Sequence, residues 1–258
     1  MTIFIALCLS VIYRGRQMLS QYLSREDYAQ LVKLAELRYY KHGEFITFDN
    51  FIKQKPIYII KDGLVSILGF QSNVNEFVHM IYGVNEIFPI TRLNYFKTDH
   101  TLPIRARAET NTSIYVIPAD ILDQYMSASP KRERAFTYQI VDQFKLYMLR
   151  VENLEFPLAR ERVAYRMLFF ASRFGSIEDG LLTIPRVNGK TIASALNLSE
   201  EAFSREMGRL RTLEIISYDA DRVVINSPLR LQDQISKNVK LPFSWPAPQN
   251  KLLNLIEA

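Results

Sequence analysis

The sequence contains one cysteine, Cys8, and three histidines, His42, His79 and His100. A lone cysteine closes no disulfide and cannot ligate an iron–sulfur cluster within one chain. Histidines this widely spaced, with neither an HExxH pattern nor paired cysteines beside them, give a zinc site little support. GxSxG, P-loop and GxGxxG patterns are absent as well, so no enzyme chemistry, metal or cofactor is expected. The opening apolar stretch, residues 1–13, is shorter than the about 20 residues a membrane-crossing helix needs. No basic segment precedes it, no A-x-A site follows it, and Arg14-Gly-Arg16 stands where a cleavage region would lie. Neither a membrane span nor a secretion signal is expected, and the cysteine usage fits a reducing, cytoplasmic compartment. Met18 directly precedes an amphipathic stretch, which makes residues 1–17 a leader or a mis-assigned start; an interfacial anchor or a packed element are the other readings.

A chain of 258 residues, 48% hydrophobic and 12% aromatic, is long enough for two separate cores and too apolar for extensive disorder. The net charge of +5 and a pI near 9.2 make a polyanionic partner plausible, although the excess alone does not choose nucleic acid.

Hydrophobic spacing divides the chain. Leu19, Tyr22, Leu23, Leu31, Leu34 and Leu37 fall mostly at helical intervals, and Ser24-Arg-Glu-Asp27 resembles a capping box. Short β-rich runs follow at 44–48, 57–60, 64–70, 77–82, 104–108 and 113–117, separated by Gly, Asn, Asp and Pro, as in a β-sandwich or jelly roll. Asp62-Gly63 gives the strongest local hairpin signal. Helix returns at 119–126 and then over 130–156, which has no Gly or Pro after Pro130. Val141, Phe144, Met148 and Val151 form one seam of this helix, and Ile140, Tyr147 and Leu154 a neighbouring one. Two seams predict a helix that packs on its own β domain and on a second copy; both faces buried within one monomer is the alternative. Pro157 marks a hinge, after which 158–174 reads as a helix and 175–180 as a turn region.

Near the C-terminus, Lys190-Thr-Ile-Ala-Ser-Ala-Leu-Asn-Leu-Ser-Glu-Glu-Ala-Phe-Ser-Arg-Glu-Met-Gly-Arg-Leu210 reads as helix, tight turn, helix. Ile192, Ala193, Leu196, Leu198, Phe203, Met207 and Leu210 supply its apolar positions. Asn197 suits a positive-φ turn and Ser199 a helix cap. Residues 213–216 and 223–225, around a polar tip, read as a two-stranded wing. Lys190, Thr191, Ser199, Glu200, Glu201, Ala202, Ser204, Arg205 and Arg209 are the candidate DNA-contacting residues.

With these elements in order, the chain resembles the CRP/FNR family of transcription regulators across residues 20–226. Lys41-His-Gly-Glu44, Ile57-Tyr-Ile-Ile-Lys-Asp-Gly-Leu-Val65, Arg107-Ala-Glu-Thr110 and Ile117-Pro-Ala-Asp-Ile121 look like its β-roll landmarks, and 130–156 like its dimerisation helix. The resemblance implies an α+β architecture: an N-terminal β-roll or jelly roll (cupin-like), a long dimerisation helix and a C-terminal winged helix-turn-helix. The corresponding domains are a sensor at 18–129, the dimerisation helix at 130–156, a DNA-binding domain at 157–228 and a C-terminal extension at 229–258. It further implies a homodimer through Val141, Phe144, Met148 and Val151, with double-stranded DNA and RNA polymerase as partners.

The family's recognition helix commonly reads Ser-x-Glu-Thr-x-Ser-Arg; here the stretch is Ser199-Glu-Glu-Ala-Phe-Ser-Arg205. By resemblance Glu201 accepts from a cytosine amino group, Arg205 forks onto a guanine and Ser204 makes a lighter contact. The plain alternative is a surface i,i+4 pair between Glu201 and Arg205. The region of the family's cyclic-nucleotide pocket departs further. Asn85-Glu-Ile-Phe-Pro-Ile-Thr-Arg-Leu-Asn94 lacks the Gly-Glu-x-x-Leu pattern, and Leu102-Pro103 stands where an arginine and hydroxyl would bind phosphate. The effector is therefore unknown, and cAMP is not expected. Arg92, Arg105 and Arg107 could serve another anion, or Arg105 and Arg107 form one outward strand face. A competing reading is a degenerate ligand- or protein-binding adaptor that has lost DNA binding, which the acidic Glu200-Glu201 start of the second helix favours. Trp245 among Pro242, Pro246 and Pro248, with Leu252, Leu253, Leu255 and Ile256 beyond, suggests a tail that docks on the body or a partner.

Overall fold

A computed structural model describes residues 22–46, 56–70, 76–89, 104–179 and 181–236. They fall into two compact units. The larger holds the described residues as far as Glu152 together with Val187–Glu200, and the smaller holds Asn153–Arg186 and those from Glu201 onward. The predicted leader at 1–17, the pocket stretch 90–103 and the tail beyond 236 lie outside the described residues.

Ser24 starts the chain's first described helix, α1 (Arg25–Lys33). Its Oγ accepts from the Asp27 N–H at 3.0 Å and donates to the Asp27 carboxylate at 2.6 Å, closing the expected cap. The helix ends there: Glu36–Tyr40 is a strand, β1, where the apolar spacing had continued a helix to residue 38. Tyr39 and Tyr40 favour extended backbone, and pairing with β8 (Thr112–Ile117) outweighs the helical spacing of Leu37.

Between these lie β2 (Phe45–Ile46), β3 (Ile57–Asp62), β4 (Val65–Phe70), β5 (Glu76–Tyr82), β6 (Ile87–Phe88) and β7 (Ile104–Ala108). They form two four-stranded antiparallel sheets in the orders β1-β8-β3-β6 and β2-β7-β4-β5. The Asp62-Gly63 signal is half right. Gly63 has φ +89°, yet β3 and β4 belong to different sheets, so the turn hands the chain from one sheet to the other and closes no hairpin. The turn is held against the β7–β8 loop by Leu64 N–H donating to Thr110 Oγ1 at 2.9 Å and Glu109 N–H donating to the Leu64 carbonyl at 2.8 Å.

Two helices complete this region, α2 (Ala119–Ser127) and α3 (Pro130–Leu154). The end of α3 comes before Phe156, in keeping with the bias of a residue preceding proline against helical backbone. Ala135 and Phe136 join Leu31, Ile57, Ile59, Ile87, Leu122 and Met126 in one core. The inner face of α3 continues through Gln139, Gln143 and Leu146, not through the expected seam of Ile140, Tyr147 and Leu154, which is only half-buried. Gln143 is fully buried and donates from Nε2 to the Ile87 carbonyl at 2.6 Å. A polar side chain on the packed face is invisible to an apolar periodicity.

The smaller unit is built on α4 (Ala159–Phe174), where Val163, Met167, Phe170 and Phe174 fall at helical spacing; the first three are buried and Phe174 is half-buried. Its sheet has four strands, not two: β11 (Ile216–Tyr218), β12 (Arg222–Ile225), β10 (Leu181–Pro185) and β9 (Ser176–Glu178), in that order. The expected turn region at 175–180 thus contains β9. Leu182 and Ile184 are buried on β10, which pairs with both β9 and β12 and enlarges the predicted wing. Two further helices of this unit are α6 (Glu200–Thr212) and α7 (Pro228–Gln232), while α5 (Gly189–Ala195) belongs to the larger unit. Among the described residues no helix is long and apolar enough to cross a membrane.

Candidate nucleic-acid interface

Asn188 caps α5, its Oδ1 accepting from the Lys190 N–H at 2.9 Å. The turn after α5 closes through Leu198 N–H on the Ala193 carbonyl at 3.0 Å, and Asn197 takes φ +52°, the left-handed conformation its short polar side chain tolerates. From Glu200 onward the chain is helical again. Phe203, Met207 and Leu210 make the packed face of α6, spaced four and three.

Glu201, Ser204, Arg205 and Arg209 occupy the opposite, exposed face, with Ser199 and Glu200 exposed just before it and Ala202 half-buried at its margin. The Arg205 side chain is 70% exposed and lies 3.9 Å from Glu206; Arg209 is 41% exposed and lies 3.7 Å from the same carboxylate. Arg209 also donates to Gln234 Oε1 at 3.1 Å. Ion pairs this exposed and this long are weak, so both guanidinium groups can exchange Glu206 for a stronger anion.

The two candidates on α5 diverge. Lys190 is exposed, whereas Thr191 is 2% exposed and turned inward onto the sheet of the larger unit. Its hydroxyl accepts from Arg107 Nη2 at 2.9 Å and donates to Glu109 Oε2 at 3.1 Å. Three helical positions on, Ser194 Oγ accepts from the Val78 N–H of β5 at 3.0 Å. A cleft of about 370 Å³ runs alongside, lined by Glu76, Phe77, Lys190, Ser194, Asn197 and Glu200 among others.

In the smaller unit two cations that sequence spacing did not single out gather beside the β11–β12 turn, one following β10 and one on α6. Arg186 and Arg211 both stand over the Tyr218 ring, 5.0 and 5.3 Å from its centroid. No spacing rule links residues this far apart in sequence. Asp219 closes the turn by accepting from the Asp221 and Arg222 N–H groups at 2.9 Å each, and these bonds, with Arg222 beside it, hold its carboxyl below the usual range. Glu178 is likewise lowered, by the Ser176 hydroxyl and Arg222.

On α3 the four predicted interface residues share one outward stripe. Val141 is 43% exposed, Phe144 62%, Met148 54% and Val151 50%, and Tyr138 extends the stripe by one turn. Four apolar side chains in a row, each about half in water, are unusual on a monomer surface. Arg105 and Arg107 share a face of β7 as expected. Arg105 lies over Phe70 at 4.9 Å and is 62% exposed, while Arg107 turns to Glu109 and Thr191. Among the described residues no His, Cys, Asp and Glu group could hold a metal ion.

No family model and no curated protein matches the chain by sequence. Solved structures do match. FixK2 from Bradyrhizobium japonicum superposes with a TM-score of 0.66 at 18% identity, over 80% of this chain and 99% of that one. A CRP-family transcriptional regulator from Thermus thermophilus gives 0.64 at 15% identity, over 80% and 100%. A CRP/FNR-family transcriptional regulator from the same organism gives 0.58 at 15%, over 77% and 97%. Nearly the whole length of each neighbour is covered by this chain, and the fold of the chain is that of these CRP/FNR regulators.

Proposed function

We propose that the protein is a sequence-specific DNA-binding transcription regulator of the CRP/FNR type, acting as a homodimer. The reading rests on the outward face of α6, where Glu201, Ser204, Arg205 and Arg209 stand exposed at helical spacing opposite a packed face of Phe203, Met207 and Leu210. In this reading α5 and α6 are a helix-turn-helix, β11 and β12 its wing, and α6 lies in the major groove. Arg205 forks onto a guanine, Glu201 accepts from a cytosine amino group, Ser204 makes a lighter base contact, and Ser199, Glu200 and Ala202 border them. Arg209, Lys190 and the paired Arg186 and Arg211 face phosphates, which set affinity and register more than sequence. The apolar stripe of α3 pairs with its copy, and a two-fold dimer of this class reads two half-sites about 34–36 Å apart.

Exposed Glu200 and Glu201 favour a second reading, a protein- or ligand-binding adaptor, because carboxylates repel phosphates. Selection of the whole chain on a random duplex library at moderate salt separates the two. Enrichment of a palindrome, with affinity falling steeply as salt rises, is expected for the regulator. An adaptor retains no duplex, and its associations are insensitive to salt.

A further inference from the structure

We propose that α5 is clasped to the β-sheet of the larger unit by Arg107, Glu109 and Ser194, and that this clasp holds back DNA binding. The inference rests on the regulator reading and adds a restraint to it.

A hydroxyl has one proton to give. That of Thr191 goes to Glu109, while its oxygen receives Arg107, at 3.1 and 2.9 Å. Buried at 2% exposure, Thr191 has no donor left for a phosphate oxygen while α5 stays seated. The second attachment is on an edge strand. β5 ends its sheet, and the Val78 N–H, which points away from the ladder, finds Ser194. The Val78 carbonyl receives Arg150 Nη2 of α3 at 3.0 Å, so one residue of β5 ties together α5 and the helix that carries the apolar stripe.

The clasp is built to open. The Glu109 carboxylate, also 2% exposed, accepts from Ser66 Oγ at 2.6 Å and from Arg107 Nε at 3.0 Å, both within its own sheet. When α5 lifts, Glu109 keeps these partners and no unpaired charge is stranded, which removes the usual penalty for breaking a buried ionic group. Thr191 then regains a proton to donate outward.

The test uses the full chain, with Arg107→Met and Ser194→Ala each removing one attachment. Ser194 is half-buried and alanine suits a helix, so the second variant carries the test if the first folds poorly. Hydrogen exchange is followed over residues 188–198 and, as a control, over β3 and β8 of the other sheet; binding is followed to the duplex that wild type enriches, or to a random duplex at low salt. Losing a hydrogen bond to a charged group corresponds to a shift of about tenfold to a hundredfold. Exchange across α5 in Arg107→Met is expected to quicken by about that factor with β3 and β8 unchanged, duplex affinity rising alongside, and Ser194→Ala is expected to move both the same way by less. Unchanged exchange, or faster exchange with unchanged or weaker duplex binding, overturns the clasp as a restraint. Duplex binding by none of the proteins overturns the regulator reading, and the restraint with it.

Discussion

Phe144→Ser offers the sharpest perturbation of the dimer that the α3 stripe implies. The side chain is 62% exposed in one chain, so its removal empties no core and should leave the fold of each protomer intact. Burying a whole Phe is worth about 1.5–3 kcal/mol, which scales to about 1–2 kcal/mol for the exposed part. Two-fold symmetry doubles the loss to about 2–4 kcal/mol per dimer, or about 30-fold to 1,000-fold in dissociation constant. Sedimentation velocity over a concentration series reads this directly. Tyr39→Ser is the control, since Tyr39 is 71% exposed on β1 and lies outside the stripe. The reasoning fails if Phe144→Ser leaves the dissociation constant unmoved, if Tyr39→Ser weakens association equally, or if the wild-type chain is monomeric throughout.

Three other outcomes follow from the structure. Gly63→Ala should destabilise by about 2–4 kcal/mol in urea unfolding, because φ is +89° and a Cβ would lie 2.5 Å from Thr112 Oγ1 and 2.6 Å from the Asn111 carbonyl. Burial, and then Arg150, hold His79 below its ordinary pKa of 6.5. The unfolded chain therefore takes up the proton first, so the contribution is complete above pH 6.5 and is lost as pH falls from 6.5 toward the folded value. His79→Gln should flatten the stability profile in that window, and a profile no flatter than wild type's would refute the assignment. Arg186→Ala and Arg211→Ala should each lower the salt slope of duplex binding by about 1 with no change in the preferred sequence, as befits phosphate contacts; altered base preference would contradict that role.

Much of the fold was legible in the sequence, and the failures have identifiable causes. Ile104–Ala108 appears as a strand where the β-rich run predicted it, and Asn197 has the positive φ its position in the turn suggested. Glu36–Tyr40 was missed because Leu37 continues a helical spacing by coincidence, while the pairing that makes it a strand comes from residues near 115. The hairpin expected at Asp62-Gly63 failed for the opposite reason: a local turn signal fixes the backbone of the turn but not which sheet receives the next strand. Gln139 and Gln143 hid the packed face of α3 behind polar side chains. For the candidate interface, spacing alone put Glu201, Ser204, Arg205 and Arg209 on one exposed face. It could not foresee that Thr191 meets Arg107 and Glu109, since more than 80 positions separate them, or that Arg186 and Arg211 converge on Tyr218.

The central claim is that α6 reads base sequence through Arg205. Its most direct test is the affinity of wild type and Arg205→Ala for the enriched half-site and for a copy with the contacted guanine changed. Loss of the arginine should cost about 1–3 kcal/mol on the preferred site and nearly abolish the difference between the two duplexes. If Arg205→Ala binds both duplexes as wild type does, with discrimination intact, α6 is not the reading element and the proposed function is wrong.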